Sequence, residues 1–198
     1  MINQWFKVAL IFQLVFCAIP ELSMANLNQV SDFQLKNQNG KEIGLSDLKS
    51  SVWIANFIFT RCQGMCPLMA GYMANLQKNL SDTNVQFVSF SVDPEFDSPE
   101  VLKSYAEKYK ADSAKWSFLT GEKSVVLDLI SGSFQLGVES ASEEDLKAGA
   151  ELVMHSGRFV LVDRLGKIAG YFDSSEPAQM LQLERSARTL DNNTKAKT

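Results

Sequence analysis

The sequence predicts an α/β domain in which helices flank a mixed β-sheet. Three observations lead to this fold class: two strongly apolar runs rich in β-branched and aromatic residues, a helical apolar periodicity after the first of them, and a late pair of strands joined by a tight turn. Strands that alternate with helices favour parallel pairing with right-handed crossovers, whereas a hairpin adds antiparallel strands. The 198 residues, 45% of them hydrophobic, are enough for one domain with a substantial core.

The first half of the chain contains the clearest strand signals. Asn39-Gly40 after an alternating segment predicts a hairpin turn. Residues 52–59 form a nearly continuous apolar run, as expected of a central strand buried on both faces. The elements expected in this half of the chain are a hairpin around 33–40, a helical turn or loop at 45–48, a strand at 52–59, a helix at 68–80 and a strand at 85–92.

The second half continues the alternation. Ser98 as N-cap and Pro99 at the first helical position predict a helix start. The expected elements are helices at 98–110 and 122–130, strands at 116–119, 158–163 and 168–172, and a closing helix at 177–189. Residues 136–150 are expected to form an irregular insertion, and 191–198 a flexible polar tail. This order of elements is that of a thioredoxin-like fold with an N-terminal hairpin extension and an insertion.

The first 25 residues differ from the rest. Lys7 is the only charged residue before Glu21, and residues 8–19 are almost wholly apolar. Ser23-Met24-Ala25 places small residues before a possible cleavage site, which is typical of a secretory signal peptide. The apolar run is shorter than the roughly 20 residues that span a bilayer. We therefore predict an exported protein, periplasmic or on the outer face of the membrane, with an uncleaved membrane anchor as the alternative to a signal peptide.

Residues 26–190 are then the predicted folded domain. The net charge of −4 gives no electrostatic reason to expect a nucleic-acid partner. Contact with a membrane surface is expected only through the N-terminal segment, if that segment is retained. Nothing in the pattern indicates an obligate oligomer, so we expect a monomer.

Cys62 and Cys66 lie four residues apart between a predicted strand and a predicted helix. A disulfide between them would close a very small loop and constrain the unfolded chain little, which disfavours a purely structural bridge. A helix N-terminus and the neighbouring Arg61 both favour the thiolate, which is the nucleophilic and metal-binding form of cysteine. The pair is therefore predicted to be redox-active or metal-binding.

His155 is the only histidine of the chain. It precedes the predicted strand at 158–163, close to where thioredoxins carry a cis-proline against their cysteine pair, and no proline lies between Pro99 and Pro177. A side chain that can coordinate a metal would then face the cysteines. Two thiolates and an imidazole suit Cu(I), and with one more oxygen or nitrogen ligand Cu(II); zinc is the chemical alternative.

Four further positions are candidates of lower specificity. Asp93 ends the strand beside the cysteine strand and is predicted either to support the site or dock a partner, or simply to end a strand. Met69 and Met73 fall at core spacing, which predicts packing. Met65 lies in the exposed loop and could pass copper transiently.

Four segments resemble the SCO/SenC family, thioredoxin-fold copper proteins that help assemble the binuclear copper centre of cytochrome c oxidase. They are residues 60–67 (TRCQGMCP), 91–100 (SVDPEFDSPE), 116–121 (WSFLTG) and 155–163 (HSGRFVLVD). The resemblance covers residues 30–188. Gln63-Gly64 replaces the Pro-Asp pair often seen between the family's cysteines, which leaves the ligands in place.

The resemblance implies that Cys62, Cys66 and His155 are copper ligands. It also implies an upstream copper donor and, as copper acceptor, the copper-site subunit of cytochrome c oxidase or another protein. The alternative is a thiol–disulfide oxidoreductase that reduces the acceptor's cysteines, with Cys62 and Cys66 as the catalytic pair and Cys62 as the attacking thiolate. A peroxidase of this fold expects a proline shortly before its reactive cysteine, and residues 52–61 contain none.

Overall fold

The computed structural model describes residues 28–137, 139–140, 152–153 and 157–195. The strands are β1 (Gln34–Asn37), β2 (Glu42–Gly44), β3 (Trp53–Ile58), β4 (Gln86–Ser91), β5 (Trp116–Thr120), β6 (Glu139–Ser140), β7 (Leu152–Val153), β8 (Arg158–Val162) and β9 (Ile168–Asp173). The helices are α1 (Leu45–Leu48), α2 (Met65–Asn79), α3 (Pro99–Lys108), α4 (Lys123–Asp128) and α5 (Pro177–Lys195).

Seven strands form one mixed sheet in the order β2-β1-β5-β4-β3-β8-β9. The three central strands β3, β4 and β5 run parallel, whereas β8 and β9 add antiparallel strands at one side and β1 pairs antiparallel with β5 at the other. The N-terminal hairpin, predicted as an extension, is thus part of the main sheet. The predicted fold class, a thioredoxin-like mixed sheet flanked by helices, is confirmed.

Strand β3 lies inside the sheet, between β4 and β8, and all six of its residues are buried. Its apolar run therefore has the two-sided burial that the sequence predicts. On one face, the ring of Phe57 stacks on Phe90 at 5.4 Å and meets Phe134 edge-on at 5.1 Å. These buried aromatic contacts fix the strand whose end carries the cysteines, since aromatic pairs contribute stability beyond the area they bury.

Two helices extend beyond the boundaries predicted for them. Helix α2 begins at Met65 rather than at residue 68, which brings Cys66 into its first turn. Helix α5 continues to Lys195, into the predicted flexible tail at 191–198. The tail prediction is wrong at its start because Asp191 is fully buried and ion-paired with Arg164.

The start of α3 agrees with the sequence. Ser98 is its N-cap and accepts a hydrogen bond from the backbone N–H of Val101, and Pro99 is the first helical residue. Helix α4 ends at Asp128, before its predicted end at residue 130, and a π-helical turn over Leu129–Ser133 follows it directly.

In the described part of the chain, no helix has the length and apolar character needed to cross a membrane. The predicted signal peptide or anchor at 1–25 and most of the predicted insertion lie outside the described residues. So does His155.

Candidate metal centre

The cysteine pair lies at the carboxyl end of β3, beside the end of β4. Ligand sites of open α/β sheets form where parallel strands end in this way. A turn follows β3, in which the backbone N–H of Cys62 donates to the carbonyl of Phe59 at 3.2 Å. Cys62 is half-buried and Cys66 is buried, and both are free thiols.

The Cys62 sulfur lies at the amino end of α2. This helix has no hydrogen bond from a capping side chain and no acidic residue in its first turn, although the first N–H groups of a helix need partners. The backbone N–H groups of Cys66, Gly64 and Met65 instead help to lower the pKa of Cys62. The positive end of the helix thus stabilises the Cys62 thiolate.

The two thiols differ in acidity. A hydrogen bond from the Cys66 thiol is the main cause that lowers the pKa of Cys62 from 9.0 to about 6, against the opposing effect of partial burial. The pKa of Cys66 is raised, first because its thiol donates this hydrogen bond to Cys62 and second because it is buried. At neutral pH the pair therefore shares one proton: Cys62 is a thiolate and Cys66 is the thiol that donates to it.

Arg61 connects the segment that carries the two cysteines, residues 60–66 (the cysteine loop), to the end of β4. Its guanidinium donates to a carboxylate oxygen of Asp93 at 2.5 Å and lies 4.2 Å from the ring centre of Phe96. Asp93 therefore lies where the sequence places it, at the end of the strand next to the cysteine strand. It is ion-paired with the residue directly before Cys62, and the supporting role predicted for it stays a prediction.

Asp97 is a residue of this site that the sequence reasoning did not single out. Its side chain is fully buried and accepts hydrogen bonds from the Ser91 hydroxyl at 2.6 Å, the Thr60 N–H at 3.2 Å and the Thr60 hydroxyl. Burial raises the pKa of Asp97, against these hydrogen bonds. Its charge in turn contributes to the raised pKa of Cys66. The carboxylate thus fixes the turn that leads to Cys62.

The cysteine loop also contacts the chain that follows His155. A Cβ atom placed on Gly157 would lie 2.4 Å from the sulfur of Met65 and 2.7 Å from the hydroxyl oxygen of Ser174. Met65 is therefore packed closely against the backbone of Gly157. The loop between the two cysteines touches a residue two positions from the histidine.

Soft thiolates at this position suit Cu(I) and Zn²⁺. Within the described ranges, no group of three or more His, Cys, Asp or Glu side chains is gathered that could hold a metal. Cys62 and Cys66 supply two adjacent thiol donors, and among the described residues no His, Asp or Glu side chain joins them in such a group.

Comparison with known proteins shows the family of the chain. The SCO1/SenC family model matches residues 23–189. This chain belongs to the SCO1/SenC family. The match includes both cysteines, Asp93, Asp97 and His155.

Among curated SCO relatives, the SCO1 protein homolog of Bacillus subtilis strain 168 is 39% identical over 151 residues, 75% of each chain. A SCO1/SenC family lipoprotein from Bacillus anthracis has a solved structure that is 34% identical, with a TM-score of 0.73 over 83% of this chain and 95% of that one. The structure of BsSco, described as a Sco-family cytochrome c oxidase assembly protein with a disulfide switch, is 33% identical, with a TM-score of 0.71 over 83% and 94%.

Proposed function

We propose that this SCO protein is a copper chaperone that works outside the cytoplasm. In this proposal Cys62, Cys66 and His155 bind copper as cargo. The protein receives copper from an upstream donor and delivers it to, or helps mature, the copper centre of cytochrome c oxidase. Residues 1–25 serve as its export signal or membrane anchor, and the domain acts as a monomer.

The state of the thiol pair supports copper as the cargo. Thiolate is the form that binds a metal, and Cys62 already carries a lowered pKa of about 6 before any metal is present. Only the Cys66 proton has to leave when copper binds, so binding releases fewer protons than at two ordinary thiols. Cys62 is half-buried, which leaves one donor within reach of an acceptor protein.

The observation that carries the proposal is the close packing of Met65 on Gly157. Two residues of chain span at most about 7 Å, so the position of Gly157 is compatible with His155 reaching the thiol pair. A Cys₂His donor set of this kind suits Cu(I). The resemblance of residues 60–67 and 155–163 to the family's copper-binding segments supports the same set.

The test is a copper titration of the reduced protein, followed by absorption and electron paramagnetic resonance spectroscopy. We expect one equivalent to bind with thiolate-to-copper charge transfer, and Cys62→Ser, Cys66→Ser and His155→Ala each to lose this species. Cys17→Ser is the matched control, because Cys17 lies in the predicted leader. A His155→Ala protein that binds copper as tightly as the wild type would refute the proposed ligand set.

The division of labour between the two thiols favours a second candidate, a thiol–disulfide oxidoreductase. The Cys62 thiolate would attack one sulfur of an acceptor disulfide, which expels the other sulfur as a thiolate and forms a mixed disulfide. The Cys66 thiol would then lose its proton and attack Cys62, releasing the acceptor as a dithiol. The oxidised Cys62–Cys66 pair would be restored by an external dithiol reductant.

This second function predicts a different pattern of variants. Cys66→Ser should trap the mixed disulfide on Cys62, and His155→Ala should reduce a disulfide substrate at the wild-type rate. A wild-type protein that fails to reduce a two-cysteine acceptor peptide, while binding copper, would leave the chaperone as the only candidate.

A further inference from the structure

Three methionines of α2 differ in their surroundings. Met69 and Met73 are 2% and 0% exposed and belong to the core, as their spacing predicts. Met65 is 45% exposed, at the first position of the helix and directly before Cys66. Core packing therefore accounts for the first two and leaves the exposed thioether of Met65 unexplained.

The Met65 sulfur nevertheless has a defined place. It occupies the space that a side chain at residue 157 would need, 2.4 Å from a Cβ built there. The backbone of Gly157 does not have a positive φ, unlike Gly40 and Gly166, so its conformation does not call for glycine. A side chain at residue 157 would therefore displace the thioether.

A buried hydroxyl faces the same point. Ser174 is 1% exposed, and its side-chain oxygen has no hydrogen-bond partner among the described residues. It lies 2.7 Å from the position of the Cβ built on Gly157. The thioether of this half-exposed side chain is thus packed on the chain that follows His155, with a polar atom beside it.

We infer that Met65 is a further ligand of copper(I), its thioether sulfur binding the metal beside the Cys62–Cys66 pair. The inference rests on the proposed copper function. Thioethers are soft donors that prefer Cu(I) to Cu(II). A thioether from this position would bind Cu(I) more tightly, and would dissociate from the metal once it is oxidised to Cu(II).

The experiment is copper K-edge X-ray absorption on the Cu(I)-loaded full chain with selenomethionine in place of methionine. Selenium is distinguishable from sulfur as a copper neighbour. We expect one selenium neighbour per copper in the wild type, the same in Met69→Leu, and none in Met65→Leu. Met69→Leu is the matched control because it changes a methionine of the same helix that is buried.

Two solution measurements accompany the spectra. Met65→Leu is expected to release Cu(I) to a competing chelator several-fold faster than the wild type, and to lower the reduction potential of the bound copper, because the lost thioether favours the reduced ion. Met69→Leu should change neither.

The outcomes separate this inference from the function on which it rests. Copper that binds through the cysteines without a selenium neighbour, or with one that persists in Met65→Leu, overturns the role of Met65 and leaves the chaperone standing. A wild-type protein that binds no Cu(I) overturns both.

Discussion

Each end of the sheet holds a fully buried aspartate, and the two are held in different ways. At the amino ends of the central strands, Asp191 pairs with the guanidinium of Arg164 at 2.6 Å and accepts the N–H of Asn84 at 3.1 Å. At the carboxyl ends, Asp97 is held by Thr60 and Ser91, through two hydroxyls and one N–H. One buried carboxylate has a cation as its partner, and the other has neutral donors.

The difference follows from what lies nearby. Arg164 also donates to the carbonyls of Ser50, Leu190 and Asp191, so the ion pair joins three segments far from the cysteines. A cation close to Asp97 would cancel a charge that contributes to the raised pKa of Cys66. Neutral donors satisfy the oxygens of Asp97 and leave its charge to act on the thiol. We therefore expect the ion pair at the amino ends of the strands (the far end) to govern stability. Asp97 at the carboxyl ends (the site end) should govern thiol chemistry.

Arg164→Met should have the largest effect on stability. It leaves the Asp191 carboxylate buried without its cation, and breaking a buried pair in this way costs about 3 kcal/mol or more. The measurement is the free energy of unfolding from urea denaturation, together with the alkylation rate of Cys62, which should stay at the wild-type value.

Arg188→Met is the matched control for that variant. Arg188 pairs with Asp82 at 2.7 Å, but both side chains are well exposed, so its loss should cost less than about 1 kcal/mol. Equal losses in the two variants would show that burial of the far-end pair is not what matters.

The thiol chemistry of the site end can be measured through the pH dependence of Cys62 alkylation. Because the folded protein favours the thiolate, the alkylation rate of reduced protein by iodoacetamide should rise with pH around a midpoint of about 6 and then level off. An ordinary thiol would still gain reactivity up to pH 9. Cys66→Ala removes the main cause of the shift and should raise the midpoint by about one pH unit or more. A midpoint unchanged in Cys66→Ala would mean that the helix N-terminus alone sets the acidity.

Asp97→Asn tests the comparison most directly. The amide keeps one acceptor oxygen but replaces the other by a donor, so we expect a stability loss of about 1–2 kcal/mol, smaller than that of Arg164→Met. The loss of charge should lower the pKa of Cys66, which faster alkylation of Cys66 at a fixed alkaline pH would detect. A pKa of Cys66 that does not move, despite a folded protein, would assign Asp97 a purely structural role.

Most of the fold could be predicted from the sequence because the signals that predict it are local. The apolar run at 52–59, the turn at Asn39-Gly40 and the N-cap Ser98 each depend on neighbouring residues, and each lies where expected. The predicted tail failed for the opposite reason. A polar sequence after Asp191 gives no sign that Arg164, distant in sequence, will bury and pair with it.

The candidate site likewise contains residues that local sequence signals predict and one residue that they do not. Cysteine spacing at a strand-to-helix junction identifies Cys62 and Cys66, and the strand order brings Asp93 beside them. Asp97 could not be singled out, because its importance lies in burial and in hydroxyl partners from two different strand ends. Its only sign was its presence in the segment 91–100 that resembles the family.

Gly157→Ala should have the smallest effect and bears on the place of Met65. The new methyl group meets the far end of a half-exposed side chain that can move aside, so we expect a loss of about 1 kcal/mol or less in urea unfolding. In a Met65→Ala background the same substitution should cost less, and whatever cost remains is due to Ser174. Gly71→Ala is the control of opposite sign, since nothing lies within 4 Å of its new methyl group and alanine favours the helix by up to about 1 kcal/mol. Equal costs of Gly157→Ala in both backgrounds would mean that Met65 does not pack on Gly157, and that Met65 does not join the cysteine loop to the chain beyond His155.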